Sequence, residues 1–473
     1  MMKTLFLNPP WFDGFDGAAG SRYQARREVR SFWYPTWLAQ LAALVEGSRL
    51  IDAPARGITL DGVRGQIGAY ELCVLYTSTP TFPSDVRIAE TLKAANPRLL
   101  IGFVGPHVAI QPDSSVLASD AIDFVAGVEF DYTILEVAQG RPLSEIDGLS
   151  WKRDGEVVHN KARAVIEDMD ALPFVAPVYH RDLVMEDYFC GYLLHPYVSF
   201  YTGRGCRSKC SFCLWPQTIG GNVYRTRSPA SVAAAVRPIK ELFPAVKEVF
   251  FDDDTFTDDL PRAEAIARLL GPMGITWSCN AKANVPFATL KVLRDNGLRL
   301  LLVGYESGNQ EILNNIRKGT RLDIMRKFAH DCNELGITTH GTFVLGLPGE
   351  TQETVRKSIQ FAIEINPHTI QVSLAAPYPG TELYRQAIAN GWMLDEGGKL
   401  VQEEGLQICS LSYPDLSREE INKAVALFYK KFYFRPSKII EITKEMFRSW
   451  DMTKRRLREG VEFFHYLRDR GDA

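Results

Sequence analysis

Apolar runs alternate with amphipathic stretches along two long regions of the chain, in shorter units in the first than in the second. In residues 3–140 the pattern predicts strands at 4–7, 49–52, 71–76, 98–104 and 122–125, with helices at 36–45, 85–95 and 130–138 between them. Strands that alternate with helices argue for a parallel sheet covered on both faces. From Tyr197 the alternation resumes, with strands at 197–201, 248–251, 276–279, 299–303, 338–344 and 369–374. Helices are predicted at 229–242, 261–270, 288–296, 324–335 and 350–365. The fold class is therefore α/β, in two successive units.

The rest of the chain reads differently. Residues 145–195 read as a connector, with a hairpin around Asp154 and Gly155 and with Pro173 and Pro177 expected to exclude regular structure. Beyond Trp392 the periodicity becomes helical. Ser417 and Glu420 form a capping box, and Ile421, Val425, Phe428 and Phe432 share one face. Near the end, Lys454, Arg455, Arg456 and Arg458 precede Val461, Phe463, Phe464, Tyr466 and Leu467. This face is expected to pack on the protein itself, with a peripheral contact to an anionic membrane as the alternative. The expected divisions are 1–144, 145–195, 196–391 and 392–473.

Composition narrows the picture modestly. A chain of 473 residues can bury two or three cores, and a net charge of −3 gives no hint of nucleic-acid binding. Of eight cysteines, Cys73, Cys190, Cys279, Cys332 and Cys409 stand singly, which is no disulfide framework. The first residues break at a double proline too early for a signal peptide, and no apolar run is long enough to span a bilayer. A cytoplasmic setting is expected.

The other three cysteines carry the chemistry. Cys206, Cys210 and Cys213 are spaced C-x3-C-x2-C directly after the apolar run at 197–201, and Gly203 and Gly205 let the backbone wrap. Three thiolates suit a [4Fe–4S] cluster with one iron open to a ligand. Zinc completed by a distant ligand is the alternative. Later strand ends are polar: Asp252, Asp253 and Asp254 follow the second strand, Asn280 and Lys282 the third, and Glu306 and Ser307 the fourth. Carboxylates suit an ammonium and a ribose, and a lysine suits a carboxylate, although an acid there could simply cap the next helix.

The cysteine spacing resembles the signature of the radical S-adenosylmethionine (SAM) enzymes, whose fold is a partial (β/α)6 barrel with its chemistry at the carboxyl ends of the strands. The resemblance implies that the cysteines hold the cluster and that Phe212, Asp253, Asp254, Lys282, Glu306 and Ser307 bind SAM. Lys282 would be the partner of the SAM carboxylate. The first third, with loops at Thr77, Ser78 and Thr79, at Gly105, Pro106 and His107, and at Gly127 and Glu129, resembles the Rossmann-like cobalamin-binding domain that precedes the barrel in one large subgroup. Asp-x-His-x-x-Gly, the motif of histidine-ligated cobalt, is missing, as the resemblance leads one to expect. A domain of this shape that binds nothing is the alternative.

The stretch 12–34 mixes glycines, arginines and aromatics, and long irregular segments are often functional. Arg22, Tyr23, Trp33 and Tyr34 are candidate substrate contacts, against a plain solvated loop. Asn8-Pro-Pro-Trp-Phe, the glycine-rich run after it and Ser31-Phe-Trp-Tyr-Pro-Thr-Trp-Leu-Ala-Gln40 resemble the hopanoid-biosynthesis-associated radical SAM proteins of the HpnJ type. That resemblance implies contraction of the amino-sugar ring of a lipid glycoside, a hopanoid polyol, to a cyclitol ether. An external reductant such as flavodoxin or ferredoxin is implied as well. A cobalamin-dependent methyltransferase acting on an unactivated carbon is the second expectation, and a non-catalytic iron–sulfur or cobalamin sensor the third.

Overall fold

The structure is a computed structural model that describes residues 1–11, 26–394, 400–402, 405–447 and 449–471. Among these, the first sheet contains β1 (Thr4–Asn8), β2 (Arg49–Asp52), β3 (Leu72–Tyr76), β4 (Leu100–Val104), β5 (Phe124–Ala126), β6 (Leu149–Arg153) and β7 (Glu156–His159). Its order is β2-β1-β3-β4-β5-β6-β7, parallel through β5. Every residue of β1 and β3 is buried, as central strands with both faces covered require. The order reverses direction between β1 and β3. In doubly wound sheets that switch point marks the ligand crevice, outside the carboxyl ends of the strands.

Two features of the expected connector come out differently. The hairpin forms, but it also pairs antiparallel with β5, Trp151 lying opposite Phe124, so the sheet runs past residue 144 to His159. β5 has only three residues, and the hairpin shields its otherwise open edge. Pro177 does not exclude regular structure. It sits in the first turn of a helix at Ala176–Asp182, where its missing N–H costs nothing.

The second sheet begins with β8 (Tyr197–Phe200). A small antiparallel ribbon follows, β9 (Gly203–Arg204) with β10 (Arg225–Thr226). β11 (Glu248–Phe251), β12 (Trp277–Ala281), β13 (Leu298–Glu306), β14 (Thr338–Leu345) and β15 (Thr369–Leu374) complete a six-stranded sheet in the order β15-β14-β13-β12-β11-β8. All of its pairings are parallel, which is the expected half-barrel. The helix predicted over 229–242 is split at Pro238 into Pro229–Val236 and Ile239–Leu242.

At the C-terminus the Ser417–Glu420 capping box is present, and Ile421, Val425, Phe428 and Phe432 are buried. Val372 N donates to Tyr429 Oη at 2.8 Å, fixing that helix, Arg418–Tyr433, to β15. The last helix, Trp450–Gly471, buries Tyr466 and Leu467 but leaves Val461 and Phe464 exposed, so its packing covers only one of its faces. Among the described residues no helix is long and apolar enough to cross a membrane.

A buried ion cluster clamps the first domain to the barrel. Arg204 donates to both oxygens of Asp131 at 2.7 and 2.9 Å, while Arg225 pairs with Glu129 at 2.7 Å. All four side chains are less than a tenth exposed or just at that limit. Removing one partner from such a cluster would leave an uncompensated buried charge, at a cost of about 3–5 kcal/mol.

Candidate active site

The cysteine loop lies at the carboxyl end of β8 and is held by contacts of its own. Gly205 has φ +88°, and a Cβ there would meet Val223 O at 2.2 Å and Gly220 O at 2.7 Å, so only glycine permits the turn. Cys206 N then donates to Gly221 O, and Cys213 N to Cys210 O. Gln217 closes the loop: its Nε2 donates to the carbonyls of Cys210, Ser211 and Cys213 at 3.2, 3.3 and 2.7 Å, and its Oε1 accepts from Glu382 N. Burial pushes the thiols of Cys210 and Cys213 up, with further contributions from the charges around them. Among the described residues no three His, Cys, Asp or Glu side chains are spaced to share a single metal ion. Thiolates bound to separate irons of one cluster stand further apart than ligands of one ion, so the loop need not bring them that close.

Charged groups surround these thiols. Lys318 Nζ meets Glu306 Oε1 at 2.7 Å, and both lie within electrostatic reach of Cys210. Burial disfavours the Lys318 ammonium, but Glu306 and the thiols outweigh it, and its pKa is raised. Glu306 occupies a left-handed conformation, φ +63°, at a register shift between β13 and β14. On the other side Lys282 Nζ meets Asp258 Oδ1 at 2.5 Å, and Asp258 Oδ2 lies 3.9 Å from Cys206 Sγ.

The expected SAM residues therefore divide. Phe212 is half-buried between two cysteines, and Glu306 and Lys282 sit beside the loop, each with an opposite charge. Asp253 is fully buried. Its Oδ1 accepts from Thr202 N, and its Oδ2 accepts from Thr202 Oγ1 and Tyr224 Oη, so it braces the β8 loop instead of facing a ligand. Ser307 is likewise fully buried, against Ser358 at 3.1 Å. Asp254 does line a hollow, with Trp37, Tyr201, Gly203, Arg204, Gly205, Trp215 and Gly220. Buried polar atoms at this end with no partner among the described residues include Asn280 Oδ1, on β12, Trp37 Nε1, and Ser211 Oγ in the cysteine loop. Unpaired buried groups are costly, and here they fit a site shaped for a ligand that supplies a donor and an acceptor.

In the first domain the three expected loops all follow carboxyl ends of strands. Gly105 has φ +123° and packs so tightly that a Cβ would meet Thr77 O at 2.2 Å. Ser78, Thr79 and Gly127 are partly exposed there, a surface a flat group could approach. Thr77, by contrast, is buried with its hydroxyl donating to Asp85, and Pro106 is buried too. His107 stacks on Phe82 at 4.2 Å with Nδ1 3.3 Å from Thr79 Oγ1, and burial lowers its pKa to about 4. Glu129 belongs to the interdomain ion cluster, not to an open crevice.

Of the expected substrate contacts, Arg22 and Tyr23 lie outside the described residues. Tyr34 is a core residue and offers no face to a sugar. It is 1% exposed, stacks on Tyr188 at 4.0 Å and donates to Tyr197 O at 2.9 Å. Trp33 is buried as well, with the Arg27 guanidinium over its ring. The aromatics that do border the hollow are Trp37, Tyr201 and Trp215; the two indoles are nearly parallel with centroids 6.5 Å apart, and Arg204 lies over Trp37 at 4.6 Å. Trp37 stands in the apolar run 36–45 and reads there as core, while Lys318, Asp258 and Gln217 carry no motif. Only the fold brings them together.

Residues 200–362 match the radical SAM superfamily. The chain carries a radical SAM domain. That domain starts on the last residue of β8 and runs through the cysteine loop into the helix before β15. The chain is an enzyme and has methyltransferases among its relatives. It is 28% identical over 453 residues to an uncharacterized methyltransferase of Pyrococcus horikoshii, covering 93% of this chain and 94% of that one. It is 24% identical over 404 residues to the anaerobic magnesium-protoporphyrin IX monomethyl ester cyclase of Rubrivivax gelatinosus, covering 81% and 70%. The fold is shared with the radical SAM methyltransferase TsrM of Kitasatospora setae, solved with cobalamin and a [4Fe–4S] cluster. That match has a TM-score of 0.70 at 14% identity and covers all of both chains. The cobalamin-dependent radical enzyme OxsB superimposes with a TM-score of 0.72 at 14% identity, over 98% of this chain and 72% of that one.

Proposed function

We propose that this is a cobalamin-dependent radical SAM enzyme that modifies an unactivated carbon, with methyl transfer as its reaction. The observation that carries this reading is the hollow between the two domains, where Trp37 of the first domain meets Tyr201, Arg204, Trp215 and Asp254 of the barrel beside the cysteine loop. Cys206, Cys210 and Cys213 would hold the cluster, and Lys318 and Lys282 are the cations placed to meet a carboxylate next to it. Asn280 Oδ1 would accept a hydrogen bond from bound SAM. The backbone around Gly105, Ser78, Thr79 and Gly127 would cradle cobalamin along the carboxyl ends of β3, β4 and β5 in the first sheet. When bound, these groups would supply an electron, a carbon-centred radical and a transferable methyl group. The protein orients them and excludes water: Arg204 is locked to Asp131, and its guanidinium lies on Trp37, closing the hollow from the domain interface.

Relatives named as methyltransferases support this reaction, including the Pyrococcus horikoshii protein and the cytidylyl-2-hydroxyethylphosphonate methyltransferase of Streptomyces wedmorensis, 26% identical over 332 residues. A second reading, contraction of the amino-sugar ring of a hopanoid glycoside, rests on the resemblance of the segments around Asn8 and at 31–40. The test is anaerobic incubation of the cluster-loaded protein with SAM, reductant, hydroxocobalamin and hopanoid extract, followed by mass measurement of the products. Methyl transfer adds one CH2 to the substrate, ring contraction leaves its mass unchanged, and failure to consume SAM under any of these conditions would overturn both.

A further inference from the structure

The last two helices carry an exposed apolar face that no part of the described chain covers. Among the described residues, the exposed large apolar side chains number eighteen, and nine of them lie between Leu427 and Phe464. All four exposed Phe and Trp residues are in this group: Phe434, Phe447, Trp450 and Phe464, with Phe447 82% and Trp450 69% exposed. On the last helix the exposed positions Trp450, Leu457, Val461 and Phe464 recur at spacings of 7, 4 and 3, which stacks them in one stripe. The opposite side of that helix is pinned to the core by Tyr466, Leu467 and the buried Glu459. Phe434 stacks on Phe464 at 6.0 Å, which joins the stripe to the helix Pro436–Met446 and its exposed Ile439 and Ile440. The face is thus a fixed surface.

Charge indicates what covers it. Residues 430–470 contain twelve Lys or Arg and six Asp or Glu, a net charge of +6 in a chain whose total is −3. Lys454 lies over the Trp450 ring at 5.5 Å, and Lys444 is exposed on the neighbouring helix. Aromatic and aliphatic side chains on one face of a helix, flanked by lysines, suit the boundary between the headgroups and acyl chains of an anionic bilayer. A second copy of the chain is disfavoured, because a two-fold interface would set this positive face against itself.

We propose that the face formed by the helices Pro436–Met446 and Trp450–Gly471 docks the enzyme on an anionic membrane surface. Two contributions act together, burial of Phe447, Trp450 and the stripe beyond it, and attraction of Lys444 and Lys454 to lipid headgroups. Neither involves the cysteine loop, so the proposal stands apart from the reaction assigned above.

The test is co-sedimentation of the full-length, cluster-loaded protein with phosphatidylcholine vesicles, with and without phosphatidylglycerol, at low and high salt. Binding is expected only to the phosphatidylglycerol vesicles and should weaken with salt. The exposed double variants Phe447→Ser/Trp450→Ser and Lys444→Glu/Lys454→Glu should each raise the lipid concentration for half-binding by about tenfold or more. Their thermal unfolding should stay unchanged, because none of these side chains is buried. Sedimentation velocity at increasing concentration serves as the control. No binding, equal binding to neutral vesicles, or a dimer dissolved by the Phe447→Ser/Trp450→Ser variant would overturn the proposal.

Discussion

Glu306 Oε1 and Lys318 Nζ meet at 2.7 Å, with both side chains nearly buried and the thiol of Cys210 beside them. The pair sits where the register of β13 and β14 slips, so the backbone presents Glu306 sideways into the loop cluster. Lys318→Met would leave this carboxylate buried without its partner, and unfolding by urea should show a loss of about 3–5 kcal/mol. The double variant Glu306→Gln/Lys318→Met should recover most of that loss. If Lys318 also meets the SAM carboxylate, both variants should bind SAM at least tenfold more weakly by calorimetry. A double variant with normal SAM affinity would show that the pair serves stability alone.

Replacing Cys206, Cys210 or Cys213 by alanine should strip iron from the anaerobically loaded protein and abolish SAM cleavage, because three thiolates are the anchoring set. Alanine at Cys73, Cys279 or Cys332 removes only a buried sulfur from the core. Those variants should unfold slightly more easily, by about 1 kcal/mol, and keep their iron. Colorimetric iron content separates the two groups.

The six barrel strands fall close to their expected positions for different reasons: β11 is an apolar run after Glu248 and β13 is largely one, as buried parallel strands tend to be, whereas β15 alternates apolar and polar residues. Which polar side chain at a strand end faces the site was not legible. Asp253 and Asp254 are neighbours of identical chemistry, yet one is buried against Thr202 and Tyr224 while the other borders the hollow. Tyr34 shows the same limit. Its aromatic neighbourhood fits a sugar platform as well as a core, and only the rings of Tyr188 and Tyr179 packed on it decide for the core. The role of Glu129 depends on Arg204 and Arg225, which lie far along the chain, and no local pattern announces that meeting.

Asp85, beneath the loop after β3, gives a pH signature. Burial raises its pKa from 3.8 to about 7, while hydrogen bonds from Thr77 and Thr81 pull it back. The folded protein therefore keeps a proton that the unfolded chain releases between about pH 4 and 7, so the contribution of this group to stability falls as pH rises through that window. Asp85→Asn keeps the shape and cannot ionise. Comparing urea unfolding of the two proteins at pH 4.5 and 7.5, the wild type should lose about 2–4 kcal/mol relative to the variant. Parallel pH profiles would mean that Asp85 is ionised throughout.

Trp37 offers the sharpest test of the hollow. Its indole is 6% exposed and packs near Tyr201 at 5.4 Å and Trp215 at 6.5 Å. Its Nε1 has no acceptor among the described residues. A buried N–H without a partner destabilises the free protein by about 1–3 kcal/mol, a cost that makes sense if a bound molecule brings the acceptor. Trp37→Phe keeps an aromatic surface beneath Arg204 and removes that N–H. The smaller ring loses some packing while the unpaired donor disappears, and the two effects oppose each other, so stability in urea should change little. Affinity for hydroxocobalamin or for SAM, titrated separately on the cluster-loaded protein, should fall about tenfold for whichever one supplies the acceptor. If both affinities hold and the KM for substrate rises instead, the acceptor belongs to the substrate. A variant that loses several kcal/mol of stability and binds every ligand normally would reduce Trp37 to a packing residue at the domain interface.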